Sequence, residues 1–265
     1  MYSRFQLAKK YLHYYLTASN GKGHGIHSPF VFDFVKKVLN DQQVYSAYQP
    51  IEKVRKQLLA DARVIEVEDF GAGSSVIKTN KRVVSAIAAS SLKSKKYAQL
   101  LYRMVKYYQP ATVLELGTSF GITSAYLASA NATSKVFTCE GSGAIASIAK
   151  QNFDELKLNN VQLTRGDFTK TLAPLLSDLT EIDFAFIDGN HRKQPTLGYF
   201  NQLMQHANAK TILVFDDIHW STEMEEAWAA VKAHPAVTLT IDLFFISMVF
   251  FNPDINHKQH FTIRF

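Results

Sequence analysis

The chain has only one cysteine, Cys139, among 265 residues, so no intramolecular disulfide can form. That thiol lies inside an apolar run, which favours a buried packing role in a reducing compartment over nucleophilic catalysis. Long hydrophobic runs are scarce too: the longest, Leu243 to Phe251, falls far short of a membrane span. The segment after Lys9 and Lys10 is too polar and too short for a secretory signal. These absences lead us to expect a soluble cytoplasmic protein with no membrane partner.

Acids are missing from one long stretch, since none occurs between Asp69 and Glu115. The net charge of +6 hides this asymmetry: residues 1 to 110 carry a balance of +11 and residues 111 to 265 one of −5. Lys78, Lys81, Arg82, Lys93, Lys95, Lys96, Arg103 and Lys106 supply the cations, and an anionic substrate or RNA would suit them. A solvated helix surface explains them better, because no aromatic platform accompanies them.

What is present is a core-forming chain, 47% hydrophobic and long enough for one sizeable domain with an appendage. We expect residues 1 to 110 to form a mostly helical extension or lid. Apolar spacing predicts helices over Phe5 to Leu16, Phe30 to Leu39 behind a Ser28 cap and Pro29, Ile51 to Ala62 behind Pro50, Arg82 to Ser90, and Lys95 to Tyr108. From Ala111 strands and helices alternate. Strands are expected near Thr112–Leu116, Val136–Glu140, Val161–Thr164, Phe184–Ile187 and Thr211–Phe215, which implies an α/β fold with a parallel sheet covered on both faces. A helix from Thr222 to about Ala233 is expected to use Glu225 in a capping box. The strand-rich Val237 to Phe251 and His260 to Phe265 then predict an antiparallel pair at one edge.

In an open parallel sheet, ligands gather at the carboxyl ends of the strands. The first strand ends in Glu115-Leu116-Gly117-Thr118-Ser119-Phe120-Gly121, an acid and two glycines where a helix begins. A dinucleotide fingerprint would need glycines where Ser119 and Ile122 stand, so hydride transfer loses ground. The second strand ends at Glu140, 19 positions past Gly121, suited to accept from both hydroxyls of a ribose. After the third comes Asp167, suited to an adenine amino group, and both acids are also suited to capping the helices that follow. A second acid-glycine loop, Asp69 to Ser74, lacks a following strand that ends in an acid and reads as a glycine turn.

The fourth and fifth strands end in Asp188-Gly189-Asn190-His191 and Asp216-Asp217-Ile218-His219-Trp220. Three neighbouring carboxylates, Asp188, Asp216 and Asp217, would repel unless protonated or neutralised by a cation, and oxygen-only ligands suit Mg2+ or Ca2+. Imidazole titrates in a range suited to a general base, which makes His191 and His219 candidates. Trp220, the aromatic that follows, suits either the wall of a ligand pocket or ordinary packing.

Residues 111 to about 251 resemble a class I S-adenosylmethionine-dependent methyltransferase, and Glu-x-Gly-Thr-x-x-Gly is especially similar to the catechol and caffeoyl-coenzyme A O-methyltransferases. The resemblance implies a Rossmann-like, seven-stranded, mostly parallel sheet. It also implies S-adenosyl-L-methionine bound by Glu115, Gly117, Thr118, Ser119, Gly121, Glu140, Asp167 and Asp188, with a metal on Asp188, Asp216 and Asp217. Asp217 stands where that group has Asn, and His191 where it often has a catalytic Lys. The expected reaction is O-methylation of a small hydroxylated acceptor, with His191 and Asp188 catalytic and His219 and Trp220 at the acceptor. Two alternatives stay open: a methyltransferase acting on RNA or another large anion, and a non-catalytic cofactor-binding scaffold. The oligomeric state, a homodimer included, is not readable.

Overall fold

The computed structural model describes residues 1–68 and 80–265, so the Asp69–Ser74 loop and Lys78 lie outside the described residues. The chain forms two compact units, one made of residues 1–41 and 180–265, the other of 42–179. The boundary expected near residue 110 falls inside the second unit.

In the 42–179 unit, α3 (Tyr48–Ala60) is followed by β1 (Val64–Glu66) and β2 (Lys81–Val83), then α4 (Val84–Ser91) and α5 (Lys95–Tyr108). The helix expected from Arg82 therefore starts later. Arg82 sits in β2, paired antiparallel with Ile65 of β1. β-branched Val83 suits that extended entry. The unit continues through β3 (Thr112–Leu116), α6 (Ile122–Ala130), β4 (Lys135–Glu140), α7 (Gly143–Glu155), β5 (Val161–Arg165) and α8 (Phe168–Ser177). β3 and β5 both pair with β4, all parallel. Val113, Leu114 and Leu116 are fully buried, as strands covered on both faces must be. A buried chain of polar groups ties the helical part to this core: Arg55 pairs with Glu52, whose carboxylate accepts a 2.8 Å hydrogen bond from Tyr126 of α6.

In the other unit, α1 (Arg4–Thr17) opens with a Ser3/Gln6 capping box. α2 (Pro29–Phe34) continues as a wider π-type turn over Val35–Leu39, so the predicted helix runs its full length with a looser second half. After residue 180 come β6 (Phe184–Ile187), α9 (Lys193–Met204), β7 (Ile212–Asp216), α10 (Thr222–Ala233), β8 (Leu239–Asp242), β9 (Ile246–Phe250) and β10 (Gln259–Thr262). β6 and β7 are parallel, and β9 lies antiparallel to both β7 and β8.

The antiparallel partners are thus β8 and β9, both within Val237 to Phe251. The last strand departs from expectation, since β10 pairs parallel with β8. The chain leaves β9 at the end where β8 begins, and β8 has its outer edge open. A strand starting there must run in the direction of β8. The described residues therefore hold eight strands besides the β1–β2 ribbon, one more than the seven expected.

Candidate active site

The glycine loop of the 42–179 unit is shaped by its backbone. Gly117, Ser119 and Gly121 all have positive φ, at 107°, 48° and 79°, so the chain reverses handedness three times within five residues. Gly117 and Thr118 both donate their N–H to the Cys139 carbonyl at 3.1 Å, tying the loop to the end of β4. At Gly121 a Cβ would lie 2.4 Å from the Phe153 ring, so conformation and space both demand glycine.

Glu140 is held from two sides of this turn. Ser119 N–H donates to Oε2 at 2.8 Å and Ser142 N–H to Oε1 at 3.0 Å. Burial pushes the carboxyl pKa up, and the backbone N–H groups of Ser142, Ser119 and Gly141 oppose the rise. Each oxygen has a further lone pair with which to accept from a ligand hydroxyl.

Glu115 faces the interior instead. Fully buried, it accepts from Ser124 Oγ and, at 2.6 Å, from Thr138 Oγ1, which itself bonds Thr118 Oγ1 at 2.6 Å. It supports the loop from beneath. Asp167 accepts from Thr169 N–H at 2.9 Å and caps α8.

The 1–41 and 180–265 unit carries the acids. β6 is wholly buried and delivers Asp188 at its end, and the chain then turns through left-handed Asn190 (φ 66°) and His191 (φ 29°). This places His191 Nε2 3.5 Å from Asp188 Oδ1. Asp216, the buried last residue of β7, completes the group: one ligand atom each from Asp188, His191 and Asp216 lies within 4.8 Å of the others. Asp217 is not in that group. Its φ of 49° puts it in a tight turn, where its N–H donates to Phe245 O and its carbonyl accepts from Trp220 N–H. Successive residues at a strand end point to opposite faces, so two adjacent aspartates do not readily converge.

His219 is committed on both nitrogens, Nδ1 to Glu225 at 3.1 Å and Nε2 to Asp242 at 2.9 Å, with its ring stacked on Phe244. Burial opposes its charge, but Asp242 and Glu225 outweigh that, and the imidazole pKa is held above its usual value. With a carboxylate engaging each ring nitrogen, His219 has no nitrogen left over for a substrate proton. It lines a cavity of about 600 Å³ together with Tyr2, Lys10, Tyr14, Glu225 and Asp242. Trp220 is not among the residues lining that cavity. Glu225 does not bond the α10 backbone as a capping box requires: Ser221 caps α10, while Glu225 receives Lys10, Tyr2 and His219.

Residues 114–218 match the family model described as a methyltransferase domain. That stretch, less than half of the chain, is similar to a methyltransferase domain. Among curated proteins, an uncharacterized protein of Acanthamoeba polyphaga mimivirus, R132, is 35% identical over 74 residues, a match spanning 26% of this chain and 34% of that protein. Among solved structures, the O-methyltransferase from Bacillus cereus in complex with SAH superposes with a TM-score of 0.56 at 20% identity, covering 83% of this chain and 97% of that one. The SAH-bound methyltransferase PaMTH1 of Podospora anserina gives 0.59 at 12% identity, covering 95% and 97%. TomG of Streptomyces achromogenes, an O-methyltransferase in complex with SAM, gives 0.53 at 16% identity, covering 61% and 82%. At these identities the likeness establishes the Rossmann-like fold of the methyltransferase domain.

Two residues that sequence reasoning passed over lie outside the glycine loop and bond to it or to its acid, Ser142 to Glu140 and Ser91 to Ser119. Ser142 precedes α7 and was visible as a serine two places beyond the strand-ending acid. Ser91, at the end of α4, shares a 2.8 Å hydrogen bond with Ser119 Oγ. No spacing rule links positions 28 apart in different elements, so only the folded chain reveals it.

Proposed function

We propose that the protein transfers a methyl group from S-adenosyl-L-methionine to an oxygen of a small hydroxylated acceptor. The observation that carries this reading is Glu140, a carboxylate fixed by two backbone N–H groups beside a loop that turns left-handed three times. Such a carboxylate is pre-oriented for the two hydroxyls of a ribose, so little ordering cost remains when the nucleoside arrives. Gly117, Thr118 and Ser119 would line the methionine end, Asp167 would accept from the adenine amino group with lone pairs not used in capping, and Glu115 supports from below. Bound S-adenosylmethionine supplies the activated methyl, so the protein need only align the acceptor and remove its proton.

Proton removal falls to the Asp188 and His191 pair. Asp188 stabilises the imidazolium that forms when His191 accepts the hydroxyl proton. The same residues with Asp216 fit a divalent cation, as one nitrogen and two carboxylates. That donor set favours manganese, iron, cobalt or zinc over the magnesium or calcium suited to oxygen alone. A cation bound there would lower the pKa of the acceptor hydroxyl. His191 would then serve as a ligand.

The test is turnover with a panel of phenolic acceptors, before and after chelation and with each metal restored. Activity that survives chelation assigns His191 as the base. Activity lost and regained with manganese assigns it as a ligand. Undiminished turnover by Asp188→Ala would remove Asp188 from either scheme, and failure to bind S-adenosylhomocysteine would end the whole reading.

A further inference from the structure

α1 presents three different faces. The first packs inward: Tyr14 and Ala18 are buried, and the rings of Tyr11 and Tyr14 lie 5.1 and 5.3 Å from that of Phe244. The second is polar and lines the cavity described above with Gln6, Lys9, Lys10, His13 and Thr17. Two latches fix the helix in rotation: Glu225 accepts from Tyr2 and Lys10, and Tyr14 OH donates to the Ile263 carbonyl.

The third face points outward and is apolar. Phe5, Ala8, Leu12, Tyr15 and Leu16 recur at spacings of three and four, which is one side of a helix. Phe5 is 80% exposed, Leu12 58%, Tyr15 50% and Leu16 70%. Phe245, 40% exposed, extends the patch alongside Tyr11. A contiguous stripe of this kind on a helix already anchored by its other side marks a contact surface.

The charge around the stripe says what covers it. At 100° per residue, Arg4 borders one side and Lys9 the other, and the Arg264 guanidinium sits 5.3 Å over the Tyr15 ring. No acid occurs in the first 32 residues, and the first turn of α1 is free of acids. Arg4 stands at the helix end where the macrodipole disfavours a cation, so its charge does not serve the stability of α1. A second copy laid on this face would offer Arg4 and Lys9 no acid from its own α1. An anionic lipid surface meets both features: apolar side chains enter the headgroup boundary, and the bordering cations reach phosphates.

We propose that the outer face of α1 docks the protein on anionic membrane surfaces, with the helix lying in the plane of the interface. The shortness of every apolar run bears on spanning a bilayer, and does not bear on a helix lying at its surface.

The experiment is co-sedimentation of the full chain with vesicles of phosphatidylcholine, alone or mixed equally with phosphatidylglycerol. Binding to the mixed vesicles, weakened by added salt, is expected. The double variant Leu12→Ser, Leu16→Ser should bind about tenfold more weakly or worse. Reversing charge with Arg4→Glu or Lys9→Glu should cost about fivefold or more each. All these side chains are exposed, so circular dichroism should report an unchanged fold, which separates lost docking from lost structure. Absence of binding to the mixed vesicles overturns the proposal, as does equal binding to neutral ones. A dimer in sedimentation that Leu12→Ser disperses, without vesicle binding, overturns it in favour of a second copy of the chain.

Discussion

The loop at 117–121 and the cluster of Asp188, His191 and Asp216 are built from different materials. The loop is made of backbone: left-handed glycines, two N–H groups on one carbonyl, and two N–H groups on the Glu140 carboxylate. The cluster is made of side chains: one ligand atom each from Asp188, His191 and Asp216, at or just past the ends of β6 and β7. A backbone cradle has one shape and recognises a constant ligand. A side-chain cluster can change its protonation or its ion, which is what a reaction requires.

Four changes test that contrast. The largest effect should come from the cluster: Asp188→Ala is expected to lower turnover about a thousandfold by single-turnover assay while S-adenosylhomocysteine affinity, measured by calorimetry, holds. Intact turnover would mean the chemistry lies elsewhere. Next, Glu140→Ala should weaken S-adenosylhomocysteine binding about a hundredfold, because charge-assisted hydrogen bonds to the ribose are lost. If affinity is unchanged, the cradle is not the cofactor site.

Gly121→Ala should cost about 2 kcal/mol in urea unfolding, since the new Cβ meets the Phe153 ring at a left-handed position. A neutral result would show that the loop is less rigid than a backbone cradle must be. The smallest effect concerns His219, whose folded-state pKa is raised above 6.5. Its contribution to stability is fully present below 6.5 and is lost as pH rises through the raised value. Urea midpoints should therefore fall as pH increases through that window in the wild type. The fall should be smaller in His219→Gln, which at low pH should be less stable by about 1 to 2 kcal/mol.

The strands β3, β4, β6 and β7 were legible because buried strands read as mostly apolar runs, whereas β5, half-buried to exposed along its length, was legible from its place in the strand–helix alternation. Gly117 and Gly121 were legible because no other residue type makes that turn cheaply. Asp167 kept two readings, and the fold shows it capping α8, with any adenine contact added to that role. β10 was misread because alternation reveals a strand without revealing which neighbour has a free edge. His219 likewise depends on distant residues: sequence shows a histidine after a strand end, and only the fold shows Glu225 and Asp242 on its two nitrogens.

The sequence by itself therefore determined where strands β3 to β7 lie, which turn needs glycine, and which acids sit at strand ends. All of these follow from local backbone sterics and from the periodicity of burial. Only the tertiary structure decided that Glu115 faces inward, that Asp217 turns out of the group that His191 joins, that Ser91 reaches Ser119, and that α1 keeps an apolar face outward. Each of those depends on the direction of a side chain relative to elements distant in sequence. No local pattern encodes such a direction, because it is fixed only when the chain packs.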